Sequence, residues 1–138
     1  MIAAVVARLT GQAGLKLVEG AISYAAVQVQ PPDGKMPAAY VVELSEAFSP
    51  ARGMSGAINQ DGVASIGVIL WMNAVRVDKA VANTALETLR QAVVDRLFGW
   101  DPRGDGVALH RGGGRLLYAA DNLVVYQLTF TLQTEDRT

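Results

Sequence analysis

Apolar residues open the chain at Ile2, Val5, Val6 and Leu9, a three-to-four spacing that gathers them on one face of a short helix. Gly11 and Gly14 follow as stop signals. Leu15 to Glu19 alternates briefly, as a strand does. Ile22, Ala25, Ala26 and Val29 return to helical spacing, and Pro31-Pro32 ends that turn because proline lacks an N–H and crowds the residue before it. Asp33-Gly34-Lys35 reads as a turn. From Ala38 to Leu44 the period is two, with Tyr40, Val42 and Leu44 on one face and Val41 and Glu43 on the other. Phe48 to Gly56 is polar, contains Gly and Pro and has no period, so it predicts a loop.

Ala57 to Val75 is the longest strand expected. One parity (Ala64, Ile66, Val68, Leu70, Met72, Ala74) is wholly apolar; the other (Val63, Ser65, Gly67, Ile69, Trp71, Asn73) is mixed, and its Ile69-Trp71 end needs cover. Asp78 is placed as an N-cap for a long helix over about residues 78–98. Its apolar stripe is Val81, Ala85, Leu89, Ala92, Val93 and Leu97, with Glu87 and Arg90 as a pair on the wet side. Gly99 and Pro102 stop it. Val107 to Arg111 predicts a strand, Gly112-Gly113-Gly114 a turn, Arg115 to Ala120 a second strand, and Asp121-Asn122 a tight hairpin. In the last strand, Leu123 to Thr134, the residues Val124, Tyr126, Leu128, Phe130 and Leu132 face inward while Gln127, Thr129, Thr131 and Gln133 face out. Glu135 to Thr138 is expected to fray.

This order of elements predicts an α+β fold, a mainly antiparallel sheet with helices packed on one face, in a single domain over residues 1–138. A domain of this size has a diameter of about 37 Å. A strand from Gly62 to Val75 would run about 46 Å and the last strand about 40 Å. Such strands either bend at a bulge, with Gly67 the candidate, or project past the core, and a projecting apolar hairpin calls for cover by a second copy.

Composition narrows the function. The chain is 51% hydrophobic, enough for one core, and its lack of cysteine excludes disulfides, a thiolate nucleophile and a Cys-type zinc site. Twelve basic residues against 13 acidic give a net charge of -1, and Arg103, Arg111 and Arg115 are the one loose basic group, which argues against a grip on DNA phosphates. No apolar run approaches the length of about 20 residues that a membrane-spanning helix needs. His110, the one histidine, has no partner ligands or nucleophile beside it in sequence. Gly112-Gly113-Gly114 precedes a strand, whereas a phosphate loop precedes a helix. Ser55 lacks the spacing of a nucleophile elbow, and the carboxylates are spread singly. The pattern predicts neither an enzyme nor a metal or cofactor site.

Several stretches together carry a family likeness: Leu17-Val18-Glu19-Gly20-Ala21 leading to Pro31-Pro32, Pro37-Ala38-Ala39-Tyr40-Val41-Val42, Gly67-Val68-Ile69-Leu70 running into the long helix, Leu97-Phe98-Gly99-Trp100-Asp101-Pro102, Gly114-Arg115-Leu116-Leu117-Tyr118, and Leu123-Val124-Val125-Tyr126-Gln127. Over nearly its whole length the chain resembles the tail terminator, or tail completion, proteins of bacteriophages and Mu-like prophages, related in role to the lambda tail terminator. That resemblance implies a structural protein of virion assembly. Such proteins form a hexameric ring that caps the head-proximal end of the tail tube, stops its polymerisation and offers a surface for head–tail joining. The implied partners are copies of itself, the tail tube protein and a head–tail connector or neck protein, with DNA passing through the ring without specific binding and with no membrane. The implied location is the virion, after assembly in the host cytoplasm.

On this reading Phe48, Arg52 and Met54 in the loop, with Ile69 and Trp71 on the long strand, are the candidates for subunit or tube contact. Gln127, Thr129 and Thr131 are the candidates for a channel-facing surface. The plainer alternatives are a surface loop without special role, burial of Ile69 and Trp71 within the monomer, and a polar face that meets only water. The same pattern also fits a neck or head–tail connector protein, or a small-ligand-binding or enzyme-accessory α+β domain.

Overall fold

The longest alternating run becomes the centre of the sheet. A computed structural model describes residues 1–12, 14–21, 33–48, 52–54, 57–73, 79–120 and 123–137. In chain order the elements are α1 (Ile2–Leu9), β1 (Leu17–Ala21), β2 (Ala38–Phe48), β3 (Arg52–Met54), β4 (Ala57–Asn73), α2 (Lys79–Leu97), β5 (His110–Ala120) and β6 (Leu123–Arg137), with a short 3-10 turn at Asp33–Lys35. The strands form one six-stranded sheet in the order β1-β2-β4-β6-β5, with β3 paired to β4. Every described pairing is antiparallel except β1 with β2. The fold is α+β. The helical turn expected at Ile22 to Val29, the Pro31-Pro32 stop, the Asp78 cap and the Asp121-Asn122 turn lie outside the described residues.

Period-two alternation sends each strand's side chains to both faces, and both are used. On one face Ala39 and Val41, Ile66, Val68 and Leu70, and Leu128, Phe130 and Leu132 meet Val5 and Leu9 of α1 and Leu89, Val93, Val94 and Leu97 of α2. On the other face Met36, Ala38, Val42, Ile69, Trp71 and Val125 form a second, smaller cluster. The middle of β4 is therefore buried on both sides, and each fully buried Val, Ile or Leu there contributes about 1.5–3 kcal/mol. The expected stripe of α2 is corrected at two places: Ala85 is exposed, and Val94, next to Val93, is buried. Arg90 lays its guanidinium 4.1 Å from the Tyr126 ring centroid, so its partner is an aromatic face on the sheet.

Three expectations are corrected in the strands. Gly112-Gly113-Gly114 is no turn; β5 runs straight through it to Ala120, with register shifts between Arg111 and Gly113 and between Leu116 and Tyr118. Side-chain room on β6 explains the glycines. A Cβ on Gly114 would come within 2.5 Å of the Tyr126 hydroxyl, one on Gly112 within 3.1 Å of the Thr129 methyl, and Gly113 itself takes φ +141°. The expected bend at Gly67 is absent too. The irregularity falls in β2 between Glu43 and Ser45, and Gly67 instead leaves space for Leu44, 3.2 Å from where its Cβ would stand. Finally, Glu135 to Arg137 does not fray but pairs with Asn59 to Asp61.

The two helix C-termini meet, and each arginine serves the other helix. Arg8 Nε donates to the Arg96 carbonyl at 3.1 Å, and Arg96 Nε donates to the Arg8 carbonyl at 3.1 Å. Cations thus sit where the helix ends leave carbonyls unpaired. Arg8 also lies 5.2 Å from the centroid of Trp100. Gly99, at φ +79°, turns the chain out of α2, and Gly99 N–H donates to Leu109 C=O at 2.9 Å while Leu109 N–H returns a bond of 2.9 Å to Trp100 C=O.

Candidate assembly surfaces

The stretch expected as a loop from Phe48 to Gly56 contains a strand. Arg52–Met54 pairs with Ala57–Asn59, continuing the ladder that β2 makes with β4 up to Phe48↔Gly62. On the other side of β4, Asn59–Asp61 pairs with Glu135–Arg137 of β6. Among the residues whose burial is described, the last buried apolar pair toward this end is Ala64 with Leu132. Beyond it β3, the first part of β4 and the last part of β6 form a three-stranded arm. From Ala64 to Ala57 the arm spans about 23 Å. At its base Phe48 is 41% and Val63 37% exposed, large apolar side chains that the chain itself leaves partly exposed. Of the loop candidates, Arg52 and Met54 are on β3 in this arm, and Phe48 ends β2 at its base.

Ile69 and Trp71 lie elsewhere. They are 1% and 7% exposed, packed in the second cluster with Val42 and Val125. Their bulk is spent inside the chain, on the face opposite the helices, so as side chains they offer little to a neighbour. Gln127, Thr129 and Thr131 share that face but are half-buried, and Gln127 Nε2 donates to Thr129 Oγ1 at 3.3 Å.

Among the described residues the sheet ends in β5 on one side and β1 on the other. β5 is exposed along nearly all its length and presents Leu116 (53%) and Tyr118 (44%) with Arg111 and Arg115. Alternation could not single out these residues, because nothing in it says which strand will be last in the sheet. The opposite side carries exposed Glu19 on β1 and exposed Glu43 and Glu46 on β2. Tyr40, paired with Glu19, has its hydroxyl pKa raised, first by burial and then by the Glu19 charge.

Carboxylates elsewhere organise backbone. Asp101 accepts N–H bonds from Arg103 (3.0 Å), Gly104 (2.8 Å) and Gly106 (2.6 Å). Desolvation pushes its pKa upward, but the N–H groups of Gly106, Arg103, Gly104 and Asp105 outweigh this and hold it below the ordinary value. Arg103 pairs with Asp105 at 3.0 Å and donates to the Gln133 carbonyl at 3.2 Å, tying the loop to β6. His110 meets the Phe98 ring edge-on at 6.3 Å. Among the described residues no group of three or more His, Cys, Asp or Glu is placed to hold a metal, and no helix is long and apolar enough to cross a membrane.

A two-faced, mainly antiparallel sheet with two described helices on one face and a paired arm at one end defines an α+β fold. The chain belongs to the phage tail terminator protein family, whose model matches residues 2–137. Its place is therefore among the structural proteins of phage tails. A chain in the solved virion of a native gene transfer agent particle has the same fold, with a TM-score of 0.56 and 20% identity over 99% of this chain and 95% of that one. No curated protein sequence matches.

Proposed function

We propose that this protein, as one domain over residues 1–138, closes the head-proximal end of the tail tube. Copies join into a ring, six by the family resemblance, that caps the last layer of tube protein, halts polymerisation and offers its far side to a head–tail connector. The observation that carries this reading is the three-stranded arm that continues the sheet past the Ala64–Leu132 pair, on a chain of the tail terminator family. An arm with Phe48 and Val63 partly exposed at its base suits contact with another subunit. Phe48, Arg52 and Met54 are assigned to that contact. Ile69 and Trp71 act from inside, stiffening the sheet that bears it. Gln127, Thr129 and Thr131 lie on the face assigned to the channel, where a chain with a net charge of -1 lets DNA pass without gripping it. No step of chemistry is called for; complementary surfaces do the work.

The test is genetic and visual. In a phage lacking this protein, electron microscopy is expected to show tails of uncontrolled length that do not join heads. Tails of normal length that fail only to join would move the role to the neck, and normal, infectious particles would refute both.

A further inference from the structure

The ladder registers connect the two edges of the sheet in a specific way. Arg111 pairs with Phe130, Phe130 with Ile66 and Ile66 with Glu43, so one row of residues crosses the sheet from an arginine at the β5 edge to a glutamate on β2. Arg115 pairs with Gln127, Gln127 with Ile69, Ile69 with Tyr40 and Tyr40 with Glu19. This second row also begins with arginine and ends with glutamate. Paired residues share a face. The Arg111–Glu43 row therefore lies on the helix face, with Ile66 and Phe130 in its core, and the Arg115–Glu19 row on the other face, with Ile69. All four charged residues are exposed, and none forms an ion pair with another described residue.

Direction agrees with charge. β1 and β2 are parallel, and β4, β6 and β5 alternate from there, so β5 runs opposite to β1 and β2. Laying the β5 edge of one copy along the β1–β2 edge of the next continues the sheet antiparallel. The helix faces stay on one side, and each row in one molecule meets its counterpart in the next. Arg115 then faces Glu19 across the new strand pair, and Arg111 points along its row toward Glu43 (with Glu46 beside it on the same face), which stands one strand further in, on β2. Exposed Lys16 and Lys35 lie toward the start of β1 and before β2, outside both rows. Leu116 and Tyr118, the most exposed apolar residues of β5, are covered by the same contact.

We infer that these two edges are the complementary halves of a head-to-tail interface between copies of this chain, with the ion pair Arg115–Glu19 and the attraction of Arg111 toward Glu43 setting its register. The interface is heterologous, which is the kind that closes into a ring. It rests on the ring proposed above and specifies how that ring is joined.

A charge swap tests it. Arg111→Glu with Arg115→Glu makes one variant, and Glu19→Lys with Glu43→Lys the other. Wild type, incubated with tail tubes, is scored for rings by native mass spectrometry and electron microscopy. Each variant alone is expected to assemble at least tenfold less well than wild type while keeping its thermal midpoint. An equimolar mixture is expected to recover assembly with the two variants alternating. A second arm uses the absence of cysteine. Arg115→Cys with Glu19→Cys in one chain places thiols at opposite edges, about 19 Å apart across four strand spacings and too far to bridge internally. Oxidation then yields a ladder of disulfide-linked copies ending at the ring. Variants that assemble as wild type does, a mixture that fails to recover, or thiols that stay unlinked in assembled rings would each overturn the interface and leave the ring standing. A wild-type chain that forms no ring even on tubes overturns the ring reading itself.

Discussion

Trp71 illustrates how one residue's role depends on its surroundings. At 7% exposure in the second cluster it is a core side chain. Trp71→Ala is expected to cost about 3–5 kcal/mol in urea unfolding, with loss of assembly following loss of fold. A ring defect at unchanged stability would return Trp71 to the interface. Asp101 gives a pH-dependent prediction. Its folded pKa lies below the ordinary value, so its contribution to stability is complete above about pH 4, the unfolded value, and is lost as pH falls through the depressed folded value. Asp101→Asn is therefore expected to be less stable than wild type at neutral pH, with the gap in urea midpoint closing as pH is lowered from about 5 toward 2. A gap that stays constant would remove the carboxylate from the account.

At the scale of elements, β5 teaches the most. Three glycines in a row resemble a turn by composition, yet their lack of side chains is what lets β5 lie against Tyr126 and Thr129. Gly114→Ala is expected to destabilise by about 1–3 kcal/mol, because the Tyr126 ring it displaces is also held under Arg90. Gly34→Ala, in open space, is expected to stay within about 0.5 kcal/mol. Calorimetric midpoints compare the two; equal effects would mean that the Tyr126 contact has no energetic weight. Both described helices and most described strands were legible, because amphipathic period and core burial are the same fact seen twice. α2 spans Lys79–Leu97 against an expected 78–98. The arm strand β3 was not legible: Arg52–Met54 has neither alternation nor bulk, and it is a strand because β4 beside it supplies a ladder.

For the whole molecule, the long strands anticipated either a bend or a reach past the core, and β4 continues to Ala57 with β3 and β6 paired beside it. Phe48→Ser should separate fold from assembly. At 41% exposure the ring is more than half covered within the monomer, so the thermal midpoint is expected to fall by the equivalent of about 1–2 kcal/mol, too little to unfold the chain. Tail length in electron micrographs is expected to lose its narrow distribution. Regular tails with this variant would clear the base of the arm from the contact.

Some properties were determined by the sequence alone. Hydrophobic period set the fold class, composition removed cysteine chemistry, and motif-scale likeness pointed to the family that the match over residues 2–137 establishes. Each of these is carried by neighbours along the chain. Tertiary structure alone decided that Trp71 is core, that the glycines of β5 are room for a tyrosine, and that arginines and glutamates stand at opposite ends of the same rows. Those are relations between residues as far as 96 positions apart, as Arg115 is from Glu19, and strand order, which only folding settles, brings them into line.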